Sequence, residues 1–120
     1  MSRTLLPGHK IIAVDFDGTL CFSEFPYLGA PNRFLIEYLK DQRLHGAKII
    51  LYTCRVGAAL SAAVEFCKGY GLGFDAINEN LPEVIELFGG DTRKITADVY
   101  IDDQAVNLKM LDFPAQEGGD

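Results

Sequence analysis

Apolar positions along this chain fall into two repeats that take turns: short continuous runs, and longer stretches at helical spacing. Ile11-Ile12-Ala13-Val14 opens the first run, which predicts a strand from about Lys10 to Phe16, covered on both faces. Gly18 to Ala30 breaks the pattern with aromatics, Pro26 and Gly29, and predicts an irregular flap or hairpin. From about Asn32, Phe34, Leu35, Tyr38 and Leu39 recur at helical spacing until His45-Gly46. Ile49, Ile50, Leu51 and Tyr52 form the core of a second strand, Lys48 to Thr53. A second helix, about Ala58 to Tyr70, carries Leu60, Ala63, Val64 and Cys67 on one face and stops at Gly71. Phe74 to Ile77 is a third strand, and Pro82 starts a helix that ends at Phe88 before Gly89-Gly90. Ala97 to Ile101 is a fourth strand; a short helix over Gln104 to Leu111 and a frayed polar tail from 114 to 120 are expected beyond it.

Strands alternating with helices at these lengths predict an α/β fold: a doubly wound, three-layered, Rossmann-like parallel sheet. The 120 residues suffice for one domain, residues 1–113, with 114–120 as its tail. Such sheets collect ligands beyond the carboxyl ends of their strands, where the winding reverses. Asp15 and Asp17 follow the first strand, Thr53 and Arg55 the second, Asp102 and Asp103 the fourth. If the first strand is central, all six approach one crevice.

Composition narrows the field. A hydrophobic share of 48% and a charged share of 23% are ordinary for a soluble globular protein. The net charge of −6 weighs against a nucleic-acid partner, which calls for a basic face. Three cysteines without ligand spacing predict reduced thiols and a cytoplasmic protein. No apolar stretch approaches membrane-spanning length, and Pro7, Gly8, His9 and Lys10 interrupt any signal-peptide core, so no membrane partner is expected.

Carboxylates at the end of a buried strand cost free energy unless a cation meets them, and a hard divalent ion such as Mg²⁺ is the natural one. Asp15 is placed to attack phosphorus and form an aspartyl-phosphate. Asp17, two residues on, is placed to act as general acid and then base, because neighbouring like charges push carboxylate pKa values apart. Gly18 lets the chain turn where the carboxylates emerge. Thr53 offers a hydroxyl and an N–H to a phosphoryl oxygen, and Lys94 a positive charge. Asp102 is the best metal ligand outside this cluster. Adjacent strand residues point to opposite sides, so Asp102 and Asp103 take different roles. Gly18, Arg55, Arg93 and Asp103 are expected to touch substrate or support the primary residues.

In chain order, Asp15-Phe16-Asp17-Gly18-Thr19-Leu20, Thr53 after an apolar strand, Lys94, and Val99-Tyr100-Ile101-Asp102-Asp103 resemble the motif set of the haloacid-dehalogenase-like superfamily, mostly phosphatases. The resemblance implies a metal held by Asp15, the backbone carbonyl of Asp17, and Asp102. It implies Asp15 as nucleophile, Asp17 as acid and base, and Thr53 and Lys94 on the phosphate, with Arg93 the alternative to Lys94. Cap domains are usual in that superfamily. Here 35 residues separate Asp17 from Thr53 and 40 separate Thr53 from Lys94, all used by a flap and helices, so the chain resembles the small capless members. An open site favours a bulky phosphorylated substrate, unless an oligomeric neighbour supplies a lid.

Other readings remain. Asp17-Gly18 taken alone is a turn, Asp102-Asp103 a helix cap, Thr53 a cap of the second helix, and Arg55 a surface pair with Glu24 or Glu79. A phospho-accepting or phosphate-binding regulatory domain also uses acids, a Thr and a Lys on a parallel sheet. Gly90-Asp91-Thr92-Arg93-Lys94 faintly resembles the polynucleotide 3′-phosphatase branch. Joint placement favours the phosphatase: acids end two strands, with Thr and Lys between them.

Overall fold

A computed structural model describes residues 4–6, 8–90 and 94–102. The chain runs β1 (Ile11–Val14), β2 (Cys21–Glu24), β3 (Tyr27–Pro31), α1 (Arg33–Leu44), β4 (Lys48–Leu51), α2 (Gly57–Gly69), β5 (Ala76–Ile77), α3 (Pro82–Phe88) and β6 (Val99–Ile101). Four strands form a parallel sheet in the order β5-β4-β1-β6, and β2 and β3 form a separate antiparallel hairpin. From β1 the chain builds outward through β4 to β5, then returns to place β6 on the other side of β1. The strand order therefore reverses at β1.

Period-two alternation splits the sheet residues between two cores. Ile12, Val14, Ile49, Leu51, Val99 and Ile101 face Ile36 and Leu39 of α1 and Ala63 and Cys67 of α2. Ile11, Ala13, Ile50 and Ala76 face Leu81 and Val84, at the start of α3. Helices thus cover both faces, which is why β1 reads as an unbroken apolar run. Two carboxylates close the opposite, N-terminal edge of the sheet. Asp98 accepts from the N–H groups of Leu5 (3.0 Å) and Ile11 (2.7 Å), and Asp75 from that of Ile49 (2.7 Å).

Helices stand close to their expected places. Asn32 caps α1, its side chain accepting from Leu35 N–H at 3.3 Å, and α3 has the expected bounds. Strands are shorter than their apolar runs. β1 stops at Val14 because the Phe16 carbonyl accepts the N–H groups of Thr19, Leu20 and Cys21 and so curls the chain into a turn. β6 starts at Val99 because the Ala97 N–H goes to the Tyr100 hydroxyl, at 2.9 Å. The flap is an antiparallel hairpin with a register shift between Phe22 and Glu24, and its strands approach so closely at Gly29 that a Cβ there would lie 2.0 Å from the Phe22 carbonyl oxygen. All three cysteines are free; burial pushes the Cys67 thiol up to about 12. No helix among the described residues is long and apolar enough to cross a membrane. The helix expected over 104–111 and the tail 114–120 lie outside the described residues.

Candidate active site

Two carboxylates reach the same end of the sheet on neighbouring strands. Val14 pairs with Ile101, so Asp15 and Asp102, the next residues of each strand, stand side by side in register. The ladder extends into this row, since the Asp15 N–H donates to the Ile101 carbonyl at 3.0 Å. On the other side of β1, Tyr52 N–H donates to the Val14 carbonyl at 3.0 Å, which sets Thr53 one residue past the same row. Neighbouring strands lie about 4.8 Å apart. Asp15 and Asp102 are both half-buried, and like charges set opposite each other repel.

The turn after β1 orients these groups. Phe16 N–H donates to Asp15 Oδ1 at 2.7 Å. Gly18 holds φ at +77°, the left-handed region that a side chain disfavours, and its N–H donates to the Cys21 carbonyl at 2.8 Å. The Thr19 hydroxyl is buried here without a hydrogen-bond partner among the described residues.

Asp17 is held by a buried arginine. Arg55 Nη2 lies 2.7 Å from Asp17 Oδ1, and Nε lies 2.9 Å from Oδ2. Ser23 Oγ donates to the same Oδ1 at 2.5 Å. Arg55 is 1% exposed, its Nη1 donates to the carbonyls of Pro26 and Ala59, and its guanidinium lies 5.0 Å from the rings of Phe16 and Phe25. The Arg55 fork, aided by Ser23 and opposed by burial, holds the Asp17 carboxyl below the usual carboxylate range. Arg55 is therefore not the surface partner of Glu24 or Glu79; burial and the Asp17 fork set its place.

Thr53 does not cap α2, whose N-cap is Val56. Its N–H is engaged by Asn78 Oδ1 at 2.8 Å, and its Oγ1 accepts Arg55 N–H at 3.1 Å, which leaves the hydroxyl hydrogen to be donated. Lys94 is exposed, and its carbonyl accepts from Asn80 Nδ2 at 2.8 Å, while Asn80 Oδ1 accepts Thr96 N–H at 2.6 Å. Arg93 and Asp103 lie outside the described residues. The structure thus gathers Asp15, Asp102 and Thr53 along one sheet end, and ties Asp17 and Arg55 to the turn and hairpin beside them.

Sequence reading passed over Ser23, Asn78 and Asn80. The signal for the asparagines lay in the run Asn78-Glu79-Asn80 directly after a strand, because Asn tolerates positive φ and bonds to nearby backbone. Asn78 has φ +55° and Asn80 is 4% exposed.

The donors that the family resemblance assigns to a metal are all oxygens: two carboxylates and the Asp17 carbonyl. That set suits a hard divalent cation, and it leaves the Asp17 side chain to Arg55. The residues therefore fit Mg²⁺. Among the described residues no three His, Cys, Asp or Glu side chains converge, and this donor set does not require them to.

The fold and site define an α/β protein with a carboxylate-lined sheet end. A solved structure of a conserved protein coded by a locus from Bacteroides thetaiotaomicron is similar to it: 38% identical, TM-score 0.70, covering 80% of this chain and 77% of that one. The chain belongs to the family of that conserved protein, whose description names no activity. No family model and no curated protein matches the chain.

Proposed function

We propose that the chain is a Mg²⁺-dependent phosphohydrolase of the haloacid-dehalogenase-like type, doubly wound and capless, acting in the cytoplasm on a phosphorylated substrate. The observation that carries this reading is the register of Asp15 with Asp102 on adjacent parallel strands, where the strand order reverses.

Asp15 attacks phosphorus in line; the ester P–O bond breaks, and the leaving oxygen takes its proton from the carboxyl form of Asp17, or from solvent where it is an aryl oxygen. Water then attacks the aspartyl-phosphate, gives its proton to Asp17, and breaks the bond to Asp15, which releases inorganic phosphate. Asp15, Asp102 and the Asp17 carbonyl would hold Mg²⁺, which would supply positive charge to the phosphoryl oxygens. The Thr53 hydroxyl donates to one of those oxygens, and Lys94 is the assigned cation. Arg55 keeps Asp17 ionised, which suits its role as base. Donating a proton to the leaving oxygen requires the Arg55 fork to open. Aryl phosphates, whose leaving oxygen needs little protonation, are therefore the better first probes.

The test is a panel of aryl and alkyl phosphate esters with Mg²⁺ or EDTA, run beside Asp15→Asn. Turnover that needs Mg²⁺ and disappears in the variant supports the reading. Turnover that survives in folded Asp15→Asn removes the nucleophile and the reading with it.

A further inference from the structure

The other end of the sheet carries a different chemistry. A groove of about 490 Å³ opens there, lined by His9, Lys40, Arg43, Lys48 and Asp75, with Gly46 and Gly71 in its wall. Lys48 pairs with Ile11 at the start of β4 and β1, four residues before the Asp15 row. At 3.3 Å per residue that is about 13 Å away, beyond the reach of one small substrate. The groove holds three of the chain's 11 basic side chains and one of its 17 acidic ones.

That single acid is already committed. Asp75 accepts from Arg43 Nη2 at 3.0 Å and from Ile49 N–H at 2.7 Å, so Arg43 and Asp75 cancel. Lys40 and Lys48 supply the remaining charge. Among the described residues Lys40 pairs with an exposed Glu37, at 3.1 Å, a contact that water weakens. Half-buried Lys48 has no ion-pair partner among the described residues. His9 lies beside them, its Nδ1 3.1 Å from the Gly46 carbonyl, which turns Nε2 to other partners. Gly71 makes room for the Lys40 ammonium, since a Cβ there would lie 3.0 Å from it.

We propose that this groove is a second anion site, separate from the carboxylate end, which binds the phosphate group of a small molecule. The chemistry favours phosphate over carboxylate. Among the described residues lining the groove the one guanidinium, that of Arg43, is occupied by Asp75, and two ammonium groups act as point charges suited to a compact multivalent anion. The size favours a small ligand, because a groove of this volume matches a nucleotide-sized molecule. The net charge of −6 disfavours an extended nucleic acid, which would reach beyond the groove.

The proposal is tested on the full chain in EDTA, with amide NMR during titration by inorganic phosphate, pyrophosphate and AMP. Saturable shifts at His9, Gly46, Lys48 and Gly71 are expected. The Lys40→Gln/Lys48→Gln double variant should bind at least about tenfold more weakly, with its remaining spectrum unchanged. Similar affinities for the three ligands assign the phosphate group alone, and tighter AMP binding assigns an ester. Wild-type affinity in the folded double variant, or shifts confined to Gly18 and Thr53, overturns the site. An oligonucleotide that binds these residues more tightly than pyrophosphate overturns the small-molecule assignment. None of these results depends on turnover at Asp15, so the two readings fail separately.

Discussion

Arg55 satisfies three neighbours at once: the Asp17 carboxylate and the carbonyls of Pro26 and Ala59. Arg55→Met would fill the same space between Phe16 and Phe25 and deprive all three of the hydrogen bonds that the guanidinium gives them. Breaking a buried pair from one side costs about 3–5 kcal/mol, and the low end applies because Asp17 keeps some contact with water. The pH dependence follows from the sign of the Asp17 shift. A depressed carboxyl pKa contributes stability above the ordinary value near 3.8, and that stability is lost as pH falls through the folded-state pKa. The gap in unfolding free energy between wild type and Arg55→Met should therefore narrow on acidification, as urea titrations from pH 7 to 3 would measure. A constant gap would mean that packing, not the ion pair, sets Arg55's contribution. Thr19 separates structure from chemistry in another way. Its buried hydroxyl has no partner among the described residues, so Thr19→Val should leave stability unchanged or raise it by about 1 kcal/mol. Melting curves and turnover on the same variant decide its role: lost turnover at full stability would give the hydroxyl a part in the reaction.

The hairpin of β2 and β3 stands outside the four-stranded sheet, and Gly29 is where its strands come closest. A Cβ 2.0 Å from the Phe22 carbonyl oxygen cannot be accommodated without separating the strands. Gly29→Ala should raise amide exchange over Cys21 to Pro31 while β1, β4 and β6 stay protected, because their cores do not use the hairpin's outer residues. Protection lost throughout would show that the hairpin and sheet unfold as one. Local sequence signals account for much of this layout. Pro82 and Gly89 bracket α3, Asn32 starts α1, and continuous apolar runs mark strands covered on both faces. Strand ends were less legible, because they depend on which partner a backbone N–H finds: Ala97's is a tyrosine hydroxyl three residues on. The site was legible where chemistry and chain order coincide, at Asp15 and Asp102 on neighbouring strand ends. The Arg55–Asp17 clamp was not, since 37 residues lie between the two and no local pattern links a buried arginine to one acid among many.

At the scale of the molecule, Asp15 and Asp102 stand at one end of the sheet, and Lys40 and Lys48 at the other, where Asp75 and Asp98 are taken up by backbone N–H groups. If Asp15 and Asp102 share a cation, Mg²⁺ should stabilise the fold. At a hundred times its dissociation constant a native-state ligand adds about 2.7 kcal/mol, a rise in Tm of about 10 °C for a chain of this size. Melts in Mg²⁺ and in EDTA should differ accordingly, and Asp102→Ala should abolish the difference; equal midpoints in wild type count against the metal. What covers the site then decides the substrate. Phosphoryl transfer gains from excluding water, and among the described residues the element beside Asp17 suited to do so is the short hairpin with Phe25 and Tyr27 exposed on it. Asp15 and Asp102 remain half-open to solvent. Such a site gains most from a substrate that brings its own cover, such as a phosphoprotein, and least from a small phosphate ester. The expected outcome is a higher kcat/KM on a phosphopeptide or phosphoprotein than on a sugar phosphate, measured beside light scattering, because a neighbouring subunit over the site would reverse the preference. A strict monomer with kcat/KM near the diffusional limit of about 10⁸ M⁻¹s⁻¹ on a small sugar phosphate would break the chain of reasoning from open site to bulky substrate. The flaw would then lie in treating the hairpin as too short to close.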